Sequence, residues 1–174
     1  MTTILGIDAS TLKSGIAIIE TDPIQRSLLY VEHIRLDKAP YRDYTPPQRT
    51  HVLFNKIKKI ISEHKPDIVS LEKIRVFNGG FNMDALLAVV RAQEAASLAA
   101  FEAGTQAVEI MASQVRGKLG IKGKKRAAAK TEVRLLVNRL FKVDLARLGY
   151  PEGVSSTEDD ISDAVAMAMV GHLF

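Results

Sequence analysis

The chain has 174 residues, 47% of them hydrophobic and 25% charged, which suits one domain (residues 1–174) with a proper core. It contains no cysteine, so disulfides and thiolate metal sites are excluded and any metal must sit on oxygen or histidine ligands. Its apolar runs are too short and interrupted to span a bilayer. With no signal-peptide pattern at MTTILGID, the expected compartment is the cytoplasm.

The net charge of +4 is unevenly spread. Between Ser113 and Lys142 there are ten Lys or Arg and one acid, Glu132, so this segment is +9 and the rest of the chain is −5. The bases include Arg116, Lys118, Lys122, Lys124, Lys125, Arg126 and Lys130. Helices that are merely soluble mix their signs. A run this polarised points to a polyanion, and nucleic acid fits better than a membrane, because Gly117, Gly120 and Gly123 break the segment into a loop.

Taken in order, residues 3–10, 14–20 and 28–36 read as three strands of an antiparallel meander. Asp8 stands at the end of the first, just before a turn containing Lys13, Ser14 and Gly15; turn N–H groups are its simplest partners. The stretch DKAPYRDYTPP is loop. Residues 47–65 form a helix with Val52, Ile57, Ile60 and Ile61 inward, and Pro66 ends it. DIVSLEK at 67–73 is a short buried strand and RVFNGGFN a loop. Residues 83–103 form a long helix rich in Ala and Leu, closed by Gly104, and 106–111 the last strand. Helices follow at 112–119, at 126–141 with Leu135, Leu136, Val137, Leu140 and Phe141 as its apolar part, and at 158–172 with Ser156 or Thr157 as cap. The expected architecture is α/β: a mixed five-stranded sheet, three antiparallel strands then two parallel, with helices on both faces.

Two further acidic stretches answer Asp8. Glu72 ends the strand IVSLE, and the first strand and the strand after the first helix are expected to be parallel neighbours. Asp8 and Glu72 then lie side by side. Asp160 and Asp163 share one face of the last helix, and Asp163 carries charge into an otherwise apolar run; Glu158 and Asp159 read as first-turn acids suited to the helix dipole. Converging carboxylates repel one another unless they bind hard divalent cations through oxygen. Mg²⁺ (or Mn²⁺) is the expected ion, and two such ions about 4 Å apart can activate water and stabilise the leaving oxygen of a phosphodiester. Beside a +9 segment, that is what a nuclease needs.

Four stretches, GIDAS, SLEKI, SQVRGKLGIKG…KTEV and DDISDAVAMA, resemble in order and spacing the RuvC family of Holliday-junction resolvases, within the RNase H-like superfamily. The resemblance spans nearly the whole chain. It implies that Asp8, Glu72, Asp160 and Asp163 form the catalytic, metal-binding tetrad, that Arg116 stands where the family has a lysine, that Lys130 matches the family's lysine before the next helix, and that Lys122 falls in the basic KG between them. It further implies paired nicks in branched DNA that leave 5′-phosphate and 3′-hydroxyl ends. The family places an aromatic at the junction centre, for which EKIRVFNGGF offers Phe77 or Phe81, with Arg75 nearby. The compact chain would suit a phage-type member.

GIDAS…TLKSGIAII also resembles the phosphate-binding hairpin of actin-like ATPases and sugar kinases, but the second half and second glycine-rich loop are missing. A ribonuclease acting on RNA–DNA hybrids would use similar carboxylates, and a non-catalytic DNA-binding protein would share the basic segment; the intact acidic set speaks against the latter. Two symmetric cuts call for two centres, hence a homodimer. The helix from Met83 to Phe101 is apolar around more of its circumference than one core-facing stripe needs, so it is the expected interface.

Overall fold

The computed structural model describes residues 1–74, 82–121 and 125–174. The meander consists of β1 (Thr2–Asp8), β2 (Lys13–Thr21) and β3 (Arg26–Arg35). β1 and β2 pair antiparallel with Asp8 opposite Gly15. Ile4, Leu5, Ile7, Ile16, Ile18 and Ile19 are fully buried. Both strands are covered on both faces, which is why they read as continuous apolar runs rather than alternating ones. Ser14 and Gly15, expected in the turn, lie within β2. The Ser14 hydroxyl accepts from the Ser10 N–H at 3.0 Å and donates to the Ser10 carbonyl at 2.7 Å. A buried hydroxyl thus closes this turn.

The helix α1 (Pro46–His64) opens on a capping box, in which the Thr45 N–H donates to Gln48 Oε1 at 2.8 Å. It ends at Lys65, whose φ of 47° is left-handed, ahead of Pro66. β4 (Ile68–Glu72) and β5 (Gln106–Ile110) flank α2 (Met83–Glu102), whose N-cap Asn82 accepts from Asp84 N–H. The sheet order is β3-β2-β1-β4-β5, with β1, β4 and β5 parallel. Ile7 pairs with Leu71, so the chain positions that follow, Asp8 and Glu72, leave the sheet at the same end.

The remaining helices are α3 (Ala112–Lys118), α4 (Arg126–Leu140), α5 (Lys142–Arg147) and α6 (Asp159–Val170). One core, of α1, α2 and one sheet face, holds Leu53, Ile57, Ala96 and Ala99 against Leu5, Ile7 and Val69. The other is built around α6, from Ile161 to Val170, with Val133, Val137 and Phe141 packed on it. α6 is buried nearly all round, which accounts for AVAMAMV.

The apolar face of α4 differs from the expected one. Ala129, Val133 and Val137 face inward, while Leu135 and Leu140 are exposed. The helix meets α6 through small and β-branched residues spaced by four, which leaves Leu135 and Leu140 on the other side; of the expected apolar part, Val137 and Phe141 are buried and Leu136 packs half-buried against the same core. The sequence pattern does not predict α5, and neither Ser156 nor Thr157 caps α6: both lie in a short 3-10 turn (Ser156–Glu158) that precedes the helix and is itself capped by Ser155, whose hydroxyl donates to Glu158 at 2.7 Å. Among the described residues no helix is long and apolar enough to cross a membrane.

Candidate functional site

The sheet end where β1 and β4 finish is roofed by the first turn of α6 and flanked by α3, α4 and the start of α2. Between them lies a cleft of about 660 Å³ whose walls include Asp8, Glu72, Asp160, Asp163, Lys130 and Arg116. Three separate elements therefore bring the four predicted acids to one place. Parallel pairing of β1 and β4 brings Asp8 beside Glu72. Contact between α6 and the middle strands brings the other two: the Asp160 carbonyl oxygen lies 1.8 Å from where a side chain at Gly15 would put its Cβ. Only glycine lets α6 approach β2 this closely.

Electrostatics bind the acids into one unit. The Asp8 carboxyl is held well above the usual carboxylate range, first by desolvation and then by repulsion from Asp163, Asp160 and Glu72, with Lys130 pulling the other way. Asp163 is also raised, by desolvation that outweighs Lys130. Glu72 stands at the more exposed rim. Its carboxyl is raised by desolvation and Asp163, against Arg126, Lys130 and Arg116. Burial pulls the Lys130 ammonium down, but Asp163, Asp8 and Asp160 outweigh it and hold the group above its ordinary value.

Each of the three acids of α6 has its own partner. Asp159 accepts from Arg134 at 2.7 Å, Asp160 contacts His33 Nε2 at 3.2 Å, and Asp163 pairs with Lys130 at 3.0 Å. Among the described residues no three His, Asp or Glu side chains already close on a single point. The acids line the cleft instead, and two of them are occupied by a base. The donor set still fits a hard divalent cation: the oxygens are carboxylate, their mutual repulsion falls when positive charge enters, and Lys130 shows that the cleft accepts a cation. A loose set of this kind suits a hard cation that keeps several of its own waters.

Of the other predicted residues, Arg116 lies in the cleft wall, held by a bond from its Nε to the Ala112 carbonyl at 3.1 Å. Arg126, read as one more base in the charged run, lines the cleft too. Lys118 is turned away, its Nζ 5.8 Å from the Phe174 ring centre. Lys125 is exposed at the start of α4. Arg75, Phe77, Phe81, Lys122 and Lys124 lie outside the described residues.

Sequence reasoning misses two participants. Ser10 lines the cleft beyond Asp8, and His33 backs Asp160. Ser10 has a legible signal, since it follows the motif acid by two residues. His33 has only its place in β3, where strand alternation sets it on the same face as Val31, which packs on the α6 core.

Comparisons with known proteins give the family and the fold. The family model for crossover junction endodeoxyribonuclease RuvC matches residues 4–172. The RuvC of Trichlorobacter lovleyi is 33% identical over 95% of this chain and 82% of its own length, and that of Pseudomonas aeruginosa is 30% identical over 97% and 85%. In fold, the chain is similar to T. thermophilus RuvC solved in complex with Holliday junction substrate, with a TM-score of 0.73 at 21% identity, covering 97% of this chain and 91% of that one. It is also similar to the yeast mitochondrial Holliday junction resolvase Ydc2, with a TM-score of 0.67 at 14% identity, covering 95% and 75%. An acid-lined cleft at the end of a five-stranded mixed sheet, and a family match over nearly every residue, lead to one conclusion: this chain belongs to the RuvC family of crossover junction endodeoxyribonucleases.

Proposed function

We propose that this protein resolves four-way DNA junctions by hydrolysing one phosphodiester in each of two symmetry-related strands, leaving 5′-phosphate and 3′-hydroxyl ends. The observation that carries this reading is the cleft itself, where four carboxylates from β1, β4 and α6 face Lys130, Arg116 and Arg126 of the basic segment. Acids alone would repel the DNA backbone, and bases alone would bind it without cutting.

Asp8, Glu72, Asp160 and Asp163 are the residues that would hold the cations, two Mg²⁺ or Mn²⁺ ions per site. When bound, such ions supply Lewis acidity toward water and the leaving oxygen. Arg116 and Arg126 bind phosphate oxygens at the rim, where their side chains already stand. Lys130 neutralises Asp163 until cation and DNA arrive. Lys118 and Lys125 add contacts to outlying phosphates, and on sequence grounds Lys122 is assigned to phosphates near the cations and Lys124 to outer ones. Arg75 and Phe77, which follow Glu72 in the chain, are assigned to the junction centre on sequence grounds, where an aromatic side chain can stack on an unpaired base. The working unit is a homodimer through α2, with two clefts serving one junction.

Cleavage assays with Mg²⁺ on a four-way junction, a linear duplex and an RNA–DNA hybrid separate a resolvase from an unselective nuclease and from a hybrid-cutting ribonuclease. Asp8→Asn should abolish junction cleavage while binding, measured in Ca²⁺, stays within about twofold, since affinity rests on phosphate contacts. Wild-type cutting by Asp8→Asn, or preferential cutting of the hybrid, would overturn the assignment.

A further inference from the structure

We propose that His33 is a positioning residue for the cleavage reaction, fixing the carboxylate of Asp160 for cation binding. The inference rests on the reading above, in which Asp160 is one of the cation ligands. His33 lies on β3, paired across the sheet with Gly15. Gly15 is also where β2 meets the Asp160 backbone, so neighbouring residues of one strand pair fix both ends of Asp160. Gly15 sets where its main chain lies, and His33 sets where its carboxylate lies.

The contact is directional. His33 Nε2 stands 3.2 Å from Asp160 Oδ2. An ionised carboxylate only accepts, so the hydrogen must be on Nε2, and this contact fixes the ring's donor atom. The His33 side chain is 8% exposed, and it stands behind Asp160 rather than in the cleft wall. It is therefore nearly closed to solvent, and its contact with the cleft acids runs through Asp160. Holding one carboxylate oxygen removes side-chain rotation that a binding cation would otherwise have to freeze, and leaves the second oxygen as ligand. Asp163 differs, because its partner Lys130 is itself part of the cleft wall and competes with a cation for the same oxygens.

The experiment compares His33→Leu, which keeps bulk and loses the donor, with His33→Gln, whose amide nitrogen reaches to about the place of Nε2. Mn²⁺ binding by the DNA-free protein is followed by electron paramagnetic resonance, next to kcat and junction Kd in Ca²⁺. Loss of an outer-shell partner typically costs about 10- to 100-fold in metal affinity or activity. His33→Leu is expected to lose at least about tenfold in Mn²⁺ affinity and in kcat at fixed Mn²⁺, with junction Kd unchanged, and His33→Gln to recover most of both. Wild-type Mn²⁺ binding by His33→Leu overturns the proposal, as does a folded His33→Gln no better than His33→Leu. If His33→Leu fails to fold by circular dichroism, His33→Gln against His33→Asn decides, since the shorter amide falls short of Asp160; equal behaviour of the two overturns it. Asp160→Asn separates the layers. Wild-type Mn²⁺ binding there removes the ligand reading itself. Loss in Asp160→Asn without loss in His33→Leu removes only the positioning role.

Discussion

A methyl group at residue 15 has nowhere to go. Its Cβ would lie 1.8 Å from the carbonyl oxygen of Asp160 and 2.2 Å from the carbonyl carbon. Both are backbone atoms, so no rotamer change relieves the contact and α6 itself must shift. At Gly6 the same substitution meets the Ala164 carbonyl at 2.0 Å, one turn further along α6. Overpacking of this kind costs about 1–3 kcal/mol. Gly15→Ala and Gly6→Ala should both melt early, but Gly15→Ala, which pushes Asp160 directly, should lose the greater share of cleavage when both are assayed folded, well below their melting points. A wild-type melting temperature for Gly15→Ala would refute the close approach. A second residue-level test concerns Asp37, beside the cleft-proximal end of β3. Two bonds from Arg35, each 2.7 Å, hold its carboxyl down at about 2. A depressed acid stabilises the fold above its unfolded value near 4, and that contribution disappears as pH falls toward 2. Carboxyl NMR should find Asp37 titrating at about 2 in the native chain and back near 4 in Arg35→Ala. An unmoved midpoint would show that the pair does not form in solution.

At the scale of elements, α4 joins the basic segment to the acids. Its inward face, Ala129, Val133 and Val137, packs on α6, and one turn of its flank sends Lys130 to Asp163 and Arg134 to Asp159. Bases committed to acids should matter less for DNA affinity than bases that line the cleft with their charge turned to it. Arg116 is of the second kind: its Nε bonds to a carbonyl in its own helix. Arg116→Ala should lower the slope of log binding constant against log salt by about one unit on a four-way junction in Ca²⁺. An unchanged slope would place Arg116 off the DNA. The same division marks what is legible in the sequence. The strands, and the parallel placement of Asp8 beside Glu72, can be read because buried branched runs and a βαβ crossover leave few topologies. The α6 acids can be read because charge in an apolar helix is conspicuous. The inward face of α4 cannot, since Leu135 and Leu140 outweigh Ala129 and Val133 in any hydrophobic reading, and only the closeness of α6 favours the smaller residues. His33 is hidden for a related reason. Its partner lies 127 residues away and reaches it only because Gly15 lets the helix settle.

At the scale of the whole molecule, one face of α2 stands uncovered among the described residues. The buried side of the helix is Ala92, Ala95, Ala96, Ala99 and Ala100, packed toward α1 and the sheet. Burial on both sides within one subunit, the ordinary explanation for so apolar a helix, does not describe it: Met83, Leu87, Leu98 and Phe101 are exposed, Leu98 at 53% and Phe101 at 82%. With 3.6 residues per turn these four fall on one stripe, opposite the buried alanines. Exposed apolar residues aligned in this way mark an interaction surface more often than isolated ones do. A second copy is the occupant we propose, because a two-fold axis there supplies the second cleft that paired cutting needs. Leu86 and Val89 also line the cleft, so charging them would disturb both functions at once. Leu98→Glu is the cleaner probe, since Leu98 is exposed and outside the cleft wall. Sedimentation equilibrium at micromolar protein without DNA should find a dimer for the native chain and a folded monomer for Leu98→Glu. On a supercoiled plasmid carrying an extruded cruciform, the native dimer should give linear product from two coordinated cuts, and Leu98→Glu mainly nicked circles. A native chain that sediments as a monomer and still linearises the plasmid with one protein per junction would rule out the α2 dimer.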